Sequence, residues 1–148
     1  MNGLPLYPSY GIFIVRLVTG GVFAVHGYQK FAGGIDRTIG FFSKIGIPAP
    51  SLMAPFIGGL ELIGGILLIL GIATRWISVL FVCEMFVAMV FTAIPARNWG
   101  AAELPLMLLA AALLFILSGP GALAVWGGTT KTDFAGSTSR TSPPANTR

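Results

Sequence analysis

Four predominantly apolar stretches, at about 10–31, 51–70, 76–94 and 101–118, constrain this chain more than any other feature. A helix rising ~1.5 Å per residue needs roughly 20 such residues to cross the ~30 Å hydrocarbon core of a bilayer. Inside lipid, an isolated segment satisfies all its backbone donors and acceptors only as a helix. Gly33-Gly34, Gly71 and Gly119-Pro120-Gly121 close the first, second and fourth stretches, and Pro95 follows the third. Both residue types end or break helices. The predicted fold is all-α, a four-helix transmembrane bundle over residues 1–126, followed by a polar low-complexity tail over 127–148. Only 9% of the residues are charged, against about 25% in a soluble domain. Lipid is therefore the expected solvent and first partner, and no length remains for a separate soluble domain.

The connections carry their own signals. Residues 36–45 place Ile39, Phe42 and Ile45 on one side of a short amphipathic helix at the membrane surface, between spans one and two. Gly46-Ile47-Pro48-Ala49-Pro50 reads as a rigid turn, with Ser51 as the expected N-cap of the second span. Thr74-Arg75-Trp76 is so short that spans two and three should form an antiparallel hairpin. No Lys or Arg occurs in residues 2–15, and Arg16 interrupts the apolar run. The first stretch thus reads as a retained helix rather than a cleaved signal. Tyr7, Tyr10 and Tyr28 fall where interface aromatics belong.

The formal charge of +4 does not point to nucleic acid, because the basic residues are scattered singly and form no stripe. They flank membrane segments instead. Cys83 and His26 are each the single residue of their kind. An internal disulfide, a Cys-x-x-Cys redox pair and bis-His haem ligation within one chain are thereby excluded. No metal site and no covalently bound cofactor are expected, so redox chemistry would run on a bound small molecule or on a partner's cofactor.

Ionisable residues within spans cost about 2.5–3.5 kcal/mol each at mid-bilayer and should face the bundle interior in pairs. Glu61 and Glu84 lie near the middles of the second and third spans. Arg16 lies roughly 7 Å along the axis from the centre of the first. An intramembrane cluster of Arg16, Glu61 and Glu84 is the expectation, in which one arginine cannot balance both carboxylates. One glutamate is then held protonated or is partnered from outside the chain. A structural role is the competing reading: Gly58, Gly64 and Gly65 surround Glu61 on a small-residue face suited to close helix approach. His26, Gln29 and Lys30 near the end of the first span share a membrane face with Glu103 at the start of the fourth. These four are the expected contacts for a ligand head group.

His26-Gly27-Tyr28-Gln29-Lys30, Gly46-Ile47-Pro48-Ala49-Pro50, Glu61-x-x-Gly64-Gly65-x-x-Leu68-x-Leu70-Gly71-x-x-Thr74-Arg75, Glu103-Leu104-Pro105-Leu106 and Gly119-Pro120-Gly121 stand in that order. Over roughly residues 10–121 the chain resembles the DoxX family of small four-helix membrane proteins. The resemblance implies a quinone-linked or redox-associated component of a bacterial inner membrane. Members include the small membrane subunit of thiosulfate:quinone oxidoreductase and partners of oxidative-stress enzymes. Many members carry a histidine near the end of the third helix, where this chain reads Thr92-Ala93-Ile94-Pro95. The expected function is an accessory subunit of a redox or electron-transfer membrane complex, contacting quinone and packing against larger subunits. A stand-alone quinone-interacting oxidoreductase component and a small proton-coupled transporter are the alternatives.

Overall fold

The computed structural model describes residues 7–97 and 99–126. The tail expected over 127–148 lies outside them. Lipid tails are as apolar as leucine, so membrane helices associate by close packing and polar contacts rather than by escaping water. Here α1 (Pro8–Ala32) and α3 (Pro50–Leu70) meet along a glycine seam. A Cβ on Gly27 would stand 2.3 Å from the Leu62 nitrogen and 2.7 Å from the Gly58 oxygen. One on Gly20 would stand 2.7 Å from the Gly65 oxygen, and one on Gly65 only 2.5 Å from the Ala24 nitrogen. Seven residues separate the two glycines on each helix, so backbone touches backbone over about 10 Å.

Between these helices, α2 (Ile35–Lys44) is a strongly amphipathic helix lying against α3. It buries Phe42 and places Asp36 in its first turn and Lys44 in its last, as the helix dipole favours. Pro50 occupies the first position of α3 and Ala49 is its N-cap, at φ 48°. Ser51 is therefore inside the helix rather than capping it, because the fixed φ of proline already suits the first helical position. At the other end Gly71 adopts φ 71°. Its N–H donates to the Leu68 carbonyl at 3.0 Å, and the Ile72 N–H to Leu67 at 2.9 Å, a Schellman closure.

The chain then returns through α4 (Thr74–Ala88), a π turn (Met89–Ala93) and the single turn α5 (Ile94–Ala96). Pro95 explains the change of pitch: it has no N–H to offer the Phe91 carbonyl, and its ring crowds that group. The Ile94 N–H reaches back five residues to Met89, and the Thr92 hydroxyl donates to the Ala88 carbonyl at 2.5 Å. The last span is α6 (Trp99–Ser118), packed mainly on α4. Four of these helical segments, Pro8–Ala32, Pro50–Leu70, Thr74–Ala93 and Trp99–Ser118, are long and apolar enough to span a membrane.

The core joins the α1–α3 pair to the α4–α6 pair. Phe23 and Phe81 stack with centroids 3.6 Å apart, amid Leu68, Met85, Leu108, Ala112 and Phe115. Tyr7, Tyr10, Trp76 and Trp126 are exposed at the end of the bundle where α1 begins and α6 ends, and Tyr28 and Trp99 at the other, the disposition of interfacial aromatics.

Replacing glycine by alanine inside a helix ordinarily stabilises it by about 0.5–1 kcal/mol, whereas overpacking costs about 1–3 kcal/mol. At Gly27 the obstacle is backbone, so the second effect wins. Gly27→Ala should lower the thermal unfolding midpoint in detergent. Gly21→Ala, whose Cβ would meet nothing within 4 Å, should leave the midpoint unchanged or raise it.

Candidate functional site

The seam brings Lys30 over the face of α3. Its Cβ lies 3.6 Å from where a Gly58 Cβ would stand, and Glu61 is three residues further along. The Lys30 ammonium pairs with Glu61 Oε2. The aliphatic stem lies along α3 and carries the charge inward to a buried carboxylate. Across the bundle, Glu84 of α4 lines the same cavity as Lys30 and Glu61. Glu84 is only 8% exposed, and its Oε2 has no hydrogen-bond partner among the described residues. One ammonium therefore faces two carboxyl groups in a low-dielectric interior. Either a proton is kept between the carboxyls or a donor from outside completes the set.

These three residues form one wall of a cavity of about 650 Å³ enclosed by α2, α3 and α4. Its other walls are mostly apolar, with Phe41 and Phe42 from α2, Phe56 from α3 and Phe91 from the π turn. Arg37 and Thr38 line the α2 side. Cavities of this size with a few convergent polar groups are the usual form of small-molecule sites. Phe56, Leu80, Cys83 and Val87 also line it and are exposed on the outer surface, so the cavity opens towards lipid.

Arg16 is elsewhere. Its Nη1 donates to the Pro120 carbonyl and its Nη2 to the Leu123 carbonyl at 3.1 Å, while the Phe13 ring lies 5.3 Å from its guanidinium carbon. Nη1 would stand 2.8 Å from a Cβ on Gly71, ten residues or about 15 Å along α3 from Glu61. The expected Arg16–Glu61–Glu84 cluster is thus replaced by Lys30–Glu61–Glu84. The cause is local: the chain after α6 turns its carbonyls inward, with Gly119, Gly121 and Leu123 all at positive φ. Unpaired carbonyls in a bilayer are costly, and a planar guanidinium meets two at once.

The four-residue site expected from His26, Gln29, Lys30 and Glu103 does not assemble. Lys30 is drawn inward by Glu61, Gln29 and Glu103 are exposed, and His26 is half-buried on α1. Among the described residues no hydrogen bond or ion pair joins these three to Lys30, and no group of three or more His, Cys, Asp or Glu converges. Arg37, Cys83 and the phenylalanines escaped the reading of the sequence. Phe42 had a signal, its apolar spacing on α2, but that spacing gave a membrane-surface helix and not the wall of a cavity.

Residues 11–93 match the DoxX family. The protein named "Putative oxidoreductase CatD" of Bacillus subtilis (strain 168) is 40% identical over 115 residues, covering 78% of this chain and 84% of that one. An uncharacterized membrane protein of Mycobacterium tuberculosis is 33% identical over 123 residues, covering 74% of this chain and 76% of that one. "Inner membrane protein YphA" of Escherichia coli (strain K12) is 30% identical over 125 residues, covering 77% and 86%. No solved structure matches. With four membrane-spanning segments and these relatives, the chain is an integral protein of a bacterial inner membrane.

Two substitutions separate the two cations. Arg16→Leu removes both carbonyl contacts, each charge-assisted bond being worth about 1.5–3 kcal/mol. Amide exchange should accelerate at Ala122, Val125 and Trp126, whose N–H groups bond Ser9, Leu70 and Gly71, and stay slow along the glycine seam. Lys30→Met strands two buried carboxyls at a cost of about 3–5 kcal/mol, so the thermal midpoint should fall steeply. The double variant Lys30→Met/Glu61→Leu should recover most of that loss.

Proposed function

The chain belongs to the DoxX family, and we propose that it serves as the quinone-binding membrane subunit of a redox complex. A single observation carries this reading: the unpartnered, buried Oε2 of Glu84 on the wall of a large apolar cavity. A quinone needs flat apolar surroundings for its ring, a hydrogen-bond donor for its carbonyl, and a source of protons when it is reduced. Phe41, Phe56 and Phe91 supply the first. A protonated Glu84 supplies the other two, with Glu61 as its proton-sharing neighbour and Lys30 holding the pair's charge in balance. Reduction to the quinol consumes two electrons and two protons. With one cysteine and one histidine in the whole chain, the electrons are assigned to a partner subunit. This chain's part is to hold the ring and hand over one proton from Glu84, the second proton being assigned with the electrons to the partner subunit. The name of the Bacillus subtilis relative, "Putative oxidoreductase CatD", agrees with a redox setting.

Glu84→Gln and Glu84→Leu test the reading in lipid nanodiscs. Gln keeps a donor of similar shape and should bind a benzoquinone within about threefold of the parent; Leu should bind it about tenfold more weakly, the worth of one hydrogen bond from a buried group. Parent protein that binds no quinone, or a Leu variant that binds as well as the parent, would refute the assignment.

A further inference from the structure

More apolar surface lies beside the cavity. A second, shallower apolar depression of about 390 Å³ runs between α3 and α4. Phe56, Leu60 and Leu80 line both spaces, so the two adjoin across these three side chains. On α3 its floor follows Pro55, Gly59, Ile63 and Leu67, four residues apart and hence one stripe of the helix. At ~1.5 Å per residue that stripe is about 18 Å long. Ile77 and Leu80 of α4 form the facing side. Phe56, Ile63 and Leu80 are exposed, so the groove lies open to the bilayer along its length.

The groove exists because α3 and α4 touch sparingly although a short turn joins them, each being packed more extensively on another helix. Gly59 deepens it. A Cβ there would meet nothing within 4 Å, so glycine is not demanded by helix approach as it is at Gly27. What its missing side chain leaves is room in the groove.

Resting on the quinone reading above, we infer that the α3/α4 groove is the subsite for the ligand's tail, which makes the ligand a quinone with a long apolar chain that enters sideways from the membrane. The ring sits against Lys30–Glu61–Glu84, and the tail leaves past Phe56, Leu60 and Leu80 and lies along the Gly59 stripe. In lipid a tail gains nothing from mere apolarity. Its gain comes from dispersion contacts with a fitted surface and from being tethered to a bound ring, which gives it a local concentration that no free acyl chain has.

Gly59→Leu fills the groove from a position that crowds no other residue, and Ile63→Trp does so from an exposed one. In nanodiscs of fixed composition, displacement of a radiolabelled long-tailed benzoquinone is compared with binding of the same ring without a tail. Both substitutions should weaken the long-tailed ligand about tenfold and leave the tailless one within about twofold, with the thermal midpoint reporting that the bundle is intact. Equal binding of the long-tailed ligand by parent and both variants would overturn the inference and give the groove to bulk lipid. An equal loss for both ligands would also overturn it, since the substitutions would then act on the ring. If the parent binds neither ligand, the quinone reading itself fails and the tail subsite falls with it.

Discussion

The backbone contact between α1 and α3 sets the rotation of both helices, and the buried charges follow from it. With Gly27 seated on Gly58 and Leu62, Lys30 is one turn further along the same face. Its stem has only a glycine to cross before reaching Glu61. A Cβ on either side of the seam would push the helices apart, and the ammonium would swing out to the headgroups, as lysines near helix ends do. Two carboxyls would then be left inside without a counter-charge. Packing and site are thus one device: the interface that holds the bundle together in the absence of a hydrophobic driving force also delivers the cation that makes the interior glutamates tolerable.

Arg16 and Lys30 lie on the same stripe of α1, fourteen residues or about 21 Å apart, and solve opposite problems. Arg16 serves the end where α1 begins, at which the segment after α6 crosses the start of α1 and the end of α3. There Val125 and Trp126 donate to Leu70 and Gly71, and Ala122 donates to Ser9. The carbonyls of Pro120 and Leu123 remain, and a fork with several fixed donors suits two acceptors at once. Lys30 serves the opposite half, where the acceptor is a carboxylate and a compact charge on a flexible stem suffices.

The spans, the surface helix and the hairpin turn were all legible in the sequence, because each is written in local hydropathy, spacing and helix-breaking residues. The depth of a charge was legible too: Glu61 and Glu84 at mid-span were expected to lie inward, and they do. What depth along a helix cannot give is azimuth, or competition from other partners. Arg16 was near enough in depth to reach Glu61, but nothing in Pro120–Ala124 announced that its carbonyls would fold inward and claim the guanidinium first. Glu103 and His26 share a membrane face, yet among the described residues no hydrogen bond or ion pair joins them. The cavity had no local signature because it is made by absences: an α3–α4 pair that diverges, a π turn that alters the pitch at Pro95, and Gly59 without a side chain.

The arithmetic of the cluster gives the cavity its chemistry. A lone charge in a bilayer interior is expensive, and an ion pair is tolerated only when charge and hydrogen bonds are both satisfied. One ammonium with two carboxyls is neutral only while one proton stays between them. A guest that takes this proton leaves the cluster with a net negative charge, which the surrounding low dielectric resists. Transfer to the guest is therefore favourable only when the guest gains negative charge at the same moment, as a quinone does when it accepts an electron. A guest whose charge never changes would leave the proton where it is. On the proposed quinone reading, the imbalance of one lysine against two glutamates would tie proton movement at Glu84 to the arrival of an electron from a partner subunit.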